Sequence, residues 1–375
     1  MNLMNYSRRF TELNLMFSLG KTTYLKESDI ILRFFPFQSL SKHIVGVTDH
    51  EADHHIDENL SFVYPVFVPA KKARSSQAIL LLHGLNERNW NKYLTWAEYL
   101  CKMTGKPVIL FPIAFHINRS PQAWSDPRSL REMLSLRRQR NGNDRSISFA
   151  NLMLSERISN NPFRFYTSGR ETLFDLVKLF QDIKEGNHAL FTENCQIDIF
   201  TYSIGSFLAQ ITLMTDLKGL FSDSKLFMFC GGSIFSRMNG VSRGIMDKEA
   251  FEKMHNYYMN VFDSQKSTLL VQDKVFESFN SMISPERNAE HRTAFFRNNA
   301  TRIKSILLKH DVVIPYQGVR EALGGANTQN NTLLYDFPFT YTHENPFPVD
   351  VNTDSCAVDR SFNSVFSKAA DFLAC

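Results

Sequence analysis

Short apolar runs bounded by polar or turn-forming residues recur along the chain. They are SFVYPVFVPA from Ser61, AILLLHGLNE from Ala78, IDIFTYSIGSFLAQ from Ile197, Leu226 to Cys230, IKSILLKHDVVIP from Ile303 and LLYDFPFTYTHENPFP from Leu333. Runs that are apolar at consecutive positions, rather than at alternate ones, mark strands buried on both faces. Their spacing adds a second signal. Strand centres near Leu82 and Leu110 lie about 28 residues apart, as do those near Ile199 and Phe227 and those near Ile306 and Leu334, and such an interval holds a strand, a crossover helix and the next parallel strand. Between the runs, SGRETLFDLVKLFQDI has apolar residues at 173, 176, 177, 180 and 183 and opens with Ser168 and Glu171 three apart, a capping-box pattern that predicts the crossover helix before Ile197. From Asp359 to Cys375, Phe362, Phe366, Ala369 and Leu373 predict a last helix packed on the sheet.

Two intervals, Leu110 to Ile199 and Phe227 to Ile306, are too long for a simple crossover. They predict insertions at about 115–167 and 233–299, both after strand ends, on the face where open α/β sheets bind ligands. The second contains EAFEKMHNYYMNVF and KVFESFNSMI, with aromatic and methionine residues at three- and four-residue spacing. It is expected to form a helical cap whose inner face shapes an apolar pocket. Residues 1–60 show no strong period and are read as an N-terminal extension supplying a strand or two. Residues 61–375 are read as one α/β domain.

Inside IDIFTYSIGSFLAQ the strand runs into Ser203, turns within two residues and continues as a helix. A serine at such a turn exposes its oxygen above the sheet and aims the following backbone N–H groups at whatever it attacks. Gly205, Ser206 and Ala209 are small enough for turn and helix to approach the sheet closely. The segment resembles the nucleophile elbow, G-x-S-x-G, of the α/β-hydrolase superfamily, with Thr201 in place of the first glycine. Because that position packs against neighbouring backbone, the β-branched threonine predicts an elbow packed differently. The resemblance runs from about Phe62 to the chain's end and points to a bacterial branch of the superfamily.

The resemblance implies an α/β fold with a mostly parallel central sheet flanked by helices, and it implies roles. Ser203 would be the nucleophile, Asp311 after the Ile303 run the triad carboxylate, and His343 after the last strand the base, in the superfamily's order of Ser, acid, His. The His83-Gly84 loop would supply the second oxyanion donor, so that the backbone N–H groups of Leu85 and Ile204 bind the developing charge. His83 itself is read as structural, His310 as one residue early on an extended strand, and Asp336 and Asp354 as fallback acids. The implied reaction is esterase- or lipase-like cleavage of a carboxylic ester through an acyl-enzyme, with thioesters, amides and acyl transfer left open. An acyltransferase would resolve the same intermediate with an alcohol. A non-catalytic receptor on this fold could lose a triad member, whereas this chain keeps all three.

The first insertion is rich in arginine. Such a charge run is usually a solvated face, while the sharper expectation gives Arg128, in WSDPR, a substrate carboxylate or phosphate to grip with its planar fork. His116, Asp126 and Glu87 are further candidates to line the cleft. DHEADHHIDENL, from Asp49 to Leu60, holds imidazoles and carboxylates that could ligate a metal but is read as an exposed polar loop, and the implied mechanism calls for no metal or other cofactor. The 42 basic and 38 acidic residues give a net charge of +4, too mild for a nucleic-acid groove, and 33 phenylalanines suit an aromatic core and an acyl pocket. Five widely spaced cysteines form no paired framework, and MNLMNYSRRFTELNLMFSLG is broken by charges where a signal peptide would be apolar. No membrane-spanning run is found. The expectation is a cytoplasmic enzyme with a small-molecule acyl substrate, and no oligomeric state follows from the sequence.

Overall fold

The computed structural model describes residues 3–40, 53, 55–265 and 273–374. Nine strands form one sheet: β1 (Thr23–Leu25), β2 (Ile30–Gln38), β3 (Ser61–Pro69), β4 (Ser75–Leu82), β5 (Val108–Leu110), β6 (Phe191–Tyr202), β7 (Leu226–Phe229), β8 (Ile303–Leu308) and β9 (Thr332–Tyr335). Their order is β1-β2-β3-β5-β4-β6-β7-β8-β9. The pairings from β1 to β5 across β3 are antiparallel and the rest are parallel. The three equal spacings in the sequence each correspond to a parallel neighbour pair, with Leu81 opposite Leu110, Phe200 opposite Phe227 and Leu307 opposite Leu334. This is the mostly parallel, helix-flanked sheet that the apolar runs predict.

Side chains alternate across the sheet, as the two-residue period of a strand requires. Ala78, Leu80 and Leu82 join one core, with the helices Arg164–Lys184 and Ile204–Thr215 and much of the 233–299 segment. Ile79 and Leu81 join the other, beneath the helices Tyr6–Met16, Asn91–Thr104 and Ser355–Ala374. Trp96 is fully buried there, edge-on to Tyr202 at 5.2 Å and tilted against Phe366 at 5.3 Å. Removing a side chain so placed costs about 3–5 kcal/mol, so this layer holds the sheet rigid behind the strand ends.

Residues 3–40 are built into this domain. Tyr6 stacks on Phe362 at 4.3 Å, Arg9 forms a buried pair with Glu98, and β2 pairs with β3 over its whole length. The helix Arg164–Lys184 starts four residues before Ser168, which corrects the capping-box reading. Ser168 Oγ donates to the carbonyl of Phe165, and Glu171 accepts from Arg119 at 2.8 Å and from Asn59 at 2.7 Å. A distant ion pair therefore claims the carboxylate that a capping box would turn back on the helix. The arginine-rich segment is likewise only partly a solvated face. Arg128, Arg131, Arg140 and Arg145 are exposed, but Arg119 is buried between Glu171 and Asp175, and Arg137 is buried against Asp247 at 2.8 Å. Breaking one partner from such a buried pair costs roughly 3–5 kcal/mol, so Arg119 locks the first inserted segment to the helix Arg164–Lys184 and Arg137 locks it to the second inserted segment. Among the described residues no helix is long and apolar enough to cross a membrane.

Candidate active site

The elbow is a strained turn held by close packing. Ser203 has φ 57° and ψ −123° between β6 and the helix Ile204–Thr215, a conformation that costs a residue with a Cβ on the order of 1–3 kcal/mol. Two glycines make room for it. A Cβ on Gly205 would sit 2.7 Å from the carbonyl oxygens of Leu82 and His83, and one on Gly231 would meet Ser206 Oγ at 2.0 Å. Thr201 is accommodated through its hydroxyl, which lies 2.8 Å from Ser206 Oγ and donates to the Phe227 carbonyl at 3.3 Å. Space absent at position 201 is thus provided at Gly231, just beyond β7.

Ser203, Asp311 and His343 leave the ends of β6, β8 and β9 and converge. His343 Nε2 lies 2.6 Å from Ser203 Oγ, and His343 Nδ1 lies 2.8 Å from Asp311 Oδ2. Asp311 Oδ1 accepts from the backbone N–H groups of Val313 and Ile314, both at 2.9 Å, and all three residues are buried. A carboxylate can only accept, so Nδ1 carries the donated proton and Nε2 presents its lone pair to the serine hydroxyl. The fallback acids lie elsewhere: Asp336 pairs with Lys309 and His310 on the surface, and Asp354 is exposed.

Two supporting residues escaped the sequence reading. Tyr202, next to Ser203, donates its hydroxyl to the backbone carbonyl of His343 and stacks on the imidazole at 5.4 Å, so the end of β6 positions both serine and histidine. Only an aromatic residue before the serine hinted at this. The Cys230 thiol is buried near Asp311; burial and then that negative charge push its pKa well up, which keeps it protonated beside the carboxylate.

The loop after β4 is pinned from both ends. His83 Nδ1 donates to the Gly84 carbonyl at 2.8 Å and Nε2 accepts from the Ile113 N–H at 2.9 Å, so this histidine has a structural role. Tyr93 accepts from the Gly84 N–H at 2.9 Å and donates to Glu87 at 2.7 Å, while Lys92 approaches the same carboxylate oxygen at 2.6 Å. Glu87 therefore braces the loop. Leu85 and Ile204 line, with Ser203, an apolar cavity of about 410 Å³ walled by Met238, Met246 and Phe251. The N–H of Ile204 opens a helix and has no acceptor within it.

The remaining expected site residues fall in different places. His116 is buried, donates Nδ1–H to the Ala114 carbonyl at 2.8 Å and leaves Nε2 without a partner. Arg128 is exposed at the start of the helix Pro127–Arg140 and lines none of the cavities around the serine. Asp126 caps that helix, its carboxylate accepting from Ser129 and from the Arg128 N–H. Much of the histidine-rich stretch, His50 and His54 included, lies outside the described residues. Its Asp53 pairs with Arg157 at 2.9 Å and Arg164 at 2.8 Å. Among the described residues no cluster of His, Cys, Asp and Glu has the makings of a metal site.

The two buried histidines beside the site make stability depend on pH. Burial pushes His83 well below its ordinary value and His116 down to about 4. Both are neutral in the folded chain while the unfolded chain protonates them near 6.5. The unfolded state then binds more protons, so stability rises with pH through this window. Full stability is expected above about pH 6.5, with a loss approaching roughly 1.4 kcal/mol per pH unit per histidine as pH falls toward 4. Urea unfolding midpoints across pH 4–7 check this, and a flat profile would contradict it.

Residues 4–374 match the model of a family of unknown function, DUF6051. The chain belongs to that family. No match is found among curated proteins. Among solved structures it is similar to an esterase from Pyrobaculum calidifontis at 10% identity, over 98% of this chain and 90% of that one, with a TM-score of 0.45. It is also similar to a thermostable esterase from Pseudomonas putida at 10% identity, 98% and 89% coverage and a TM-score of 0.47. A third is carboxyl esterase 2 of the fungus Tuber melanosporum, at 9% identity, 99% and 100% coverage and a TM-score of 0.47. At such identities the chemistry has to be argued from the side chains themselves.

Proposed function

We propose that this protein is a serine hydrolase that cleaves a carboxylic ester through an acyl-enzyme. The observation that carries the reading is the unbroken hydrogen-bond line from Ser203 Oγ through His343 to Asp311, built from three strand ends and closed by two backbone donors on the acid. In this reading His343 Nε2 takes the hydroxyl proton as Ser203 Oγ bonds to the substrate carbonyl carbon. Asp311 stabilises the imidazolium, and the N–H groups of Leu85 and Ile204 receive the oxyanion, each contributing on the order of 3 kcal/mol. The carbonyl re-forms as the C–O bond to the alcohol breaks, and the imidazolium protonates the departing alkoxide. Water, deprotonated by His343, then attacks the acyl carbon, and the serine leaves with the proton while the acid is released.

The apolar cavity over Ser203 suits the acyl or alcohol part of the substrate. The helices of the 233–299 segment, whose Met246, Phe251 and Met254 wall it, act as the cap. Turnover of a neutral activated ester tests the reading. Hydrolysis should be abolished by about one equivalent of a fluorophosphonate per chain, and activity indifferent to the phosphonate would sink it.

A further inference from the structure

Two more chambers lie in line beside the cavity over Ser203, each sharing wall residues with the one before it. The first, about 540 Å³ and mostly apolar, shares the wall residues Leu85, Phe165 and Ile204 with the serine cavity. The second, about 570 Å³, shares His116 and Ser168 with the first and differs from it in chemistry. Its wall includes three arginines, Arg88, Arg157 and Arg164, against a single carboxylate, Glu87. That carboxylate is already engaged by Lys92 and Tyr93. Arg157 and Arg164 share Asp53, and Arg157 also lies over the rings of Phe115 and Trp124 at 4.7 and 4.4 Å.

Arg88 is the exception. It is half-buried and makes no hydrogen bond or ion pair among the described residues. Burial pushes its pKa down from the ordinary value, an effect that the nearby charge of Glu87, itself engaged by Lys92 and Tyr93, only partly offsets. A guanidinium drawn partly out of water without a partner is unfavourable and is the group best able to gain from an arriving anion. Its place is set by the loop it shares with Leu85. Three residues span at most about 11 Å of backbone, so the backbone that carries Arg88 lies close to the proposed oxyanion donor.

The backbone around this chamber is also held in costly conformations. Asn86, Phe115 and Ile117 have φ of 60°, 65° and 52°, and positive φ is a genuine outlier for a β-branched residue such as Ile117. Asn86 is fixed by donating to the carbonyls of Ala150 and Gly244, both at 2.7 Å, which ties the loop carrying Arg88 to both inserted segments. His116, in the wall between the chambers, keeps an unpaired Nε2 that can only accept.

We propose that the Arg88 chamber receives a compact anion, a carboxylate or a phosphate, carried by the substrate beyond an apolar stretch that starts at the scissile ester. The inference rests on the serine hydrolase reading and adds the substrate class to it. The guanidinium fork makes bidentate contacts to either anion, and Arg157 lends a second positive charge to the same space. The apolar chamber in between accommodates the linking carbon chain.

The test compares activated esters of matched length ending in a carboxylate, a phosphate or a neutral amide. Wild-type protein should favour one or both anionic esters in kcat/KM over the amide, with the size of each preference separating carboxylate from phosphate. Arg88→Gln should lower the anionic-to-neutral ratio on the order of 10- to 100-fold, and Arg88→Lys, which keeps the charge and loses the fork, should lie between. The same compounds titrated into Ser203→Ala protein give a binding readout that needs no turnover. Hydrolysis of all three esters at equal efficiency, or an anionic preference untouched in both Arg88 variants, would overturn the anion site and leave the hydrolase reading standing. Saturable, Arg88-dependent binding of the anionic esters with no turnover by wild-type protein would support the site and overturn the hydrolase reading.

Discussion

Ser203→Ala should lose on the order of 10⁵- to 10⁶-fold in kcat, the scale seen when a serine hydrolase loses its nucleophile. Alanine keeps the Cβ, so the turn at φ 57° is no more strained than before and the elbow glycines still fit around it. What disappears is the attacking oxygen and one hydrogen bond to His343, and the latter amounts to roughly 1 kcal/mol of stability. The expected protein is folded, with a urea midpoint close to that of the wild type, and inert. A variant retaining a tenth of the wild-type rate would show that the hydroxyl of Ser203 is not the nucleophile.

Asp311→Asn should cost about 10⁴-fold in kcat, for a reason specific to this site. One carboxylate oxygen accepts from Val313 and Ile314, and the other accepts from His343. An asparagine has one accepting oxygen, and two fixed backbone donors claim it. The amide NH₂ is then turned toward His343 Nδ1, which must accept, and the imidazole proton moves to Nε2. Nε2 can no longer accept the serine proton. Steady-state kinetics, with circular dichroism to confirm the fold, check this; a loss smaller than tenfold would mean that the acid does not set the tautomer.

Much of the fold was legible in the sequence because its parallel strands are buried on both faces and so read as unbroken apolar runs at regular spacing. Ser203, Asp311 and His343 were singled out by the elbow resemblance on segments that follow such runs, and their hydrogen-bonded convergence is visible only once β6, β8 and β9 lie in one sheet. Residues whose role depends on a distant partner were hidden. Glu171 has the spacing of a cap, yet it serves Arg119, 52 positions away. Arg119 and Arg137 look like surface charge until their partners across the chain appear. Thr201 departs from the elbow pattern, and the compensating Gly231 lies at the far end of the next strand. The amino-terminal strands gave little signal because β2 includes Pro36 and has half-buried positions, as suits a strand near the sheet's edge. Arg128 attracted notice through its neighbours Trp124 and Pro127, whereas Arg88, without a distinctive local motif, is the arginine left unpaired within a chamber.

The most direct measurement is a peptide mass map of the wild-type protein after reaction with a fluorophosphonate. The account predicts a single phosphonyl adduct on the oxygen of Ser203, formed slowly or not at all in a His343→Ala variant. An unmodified wild-type chain, or an adduct on any other residue, would contradict it.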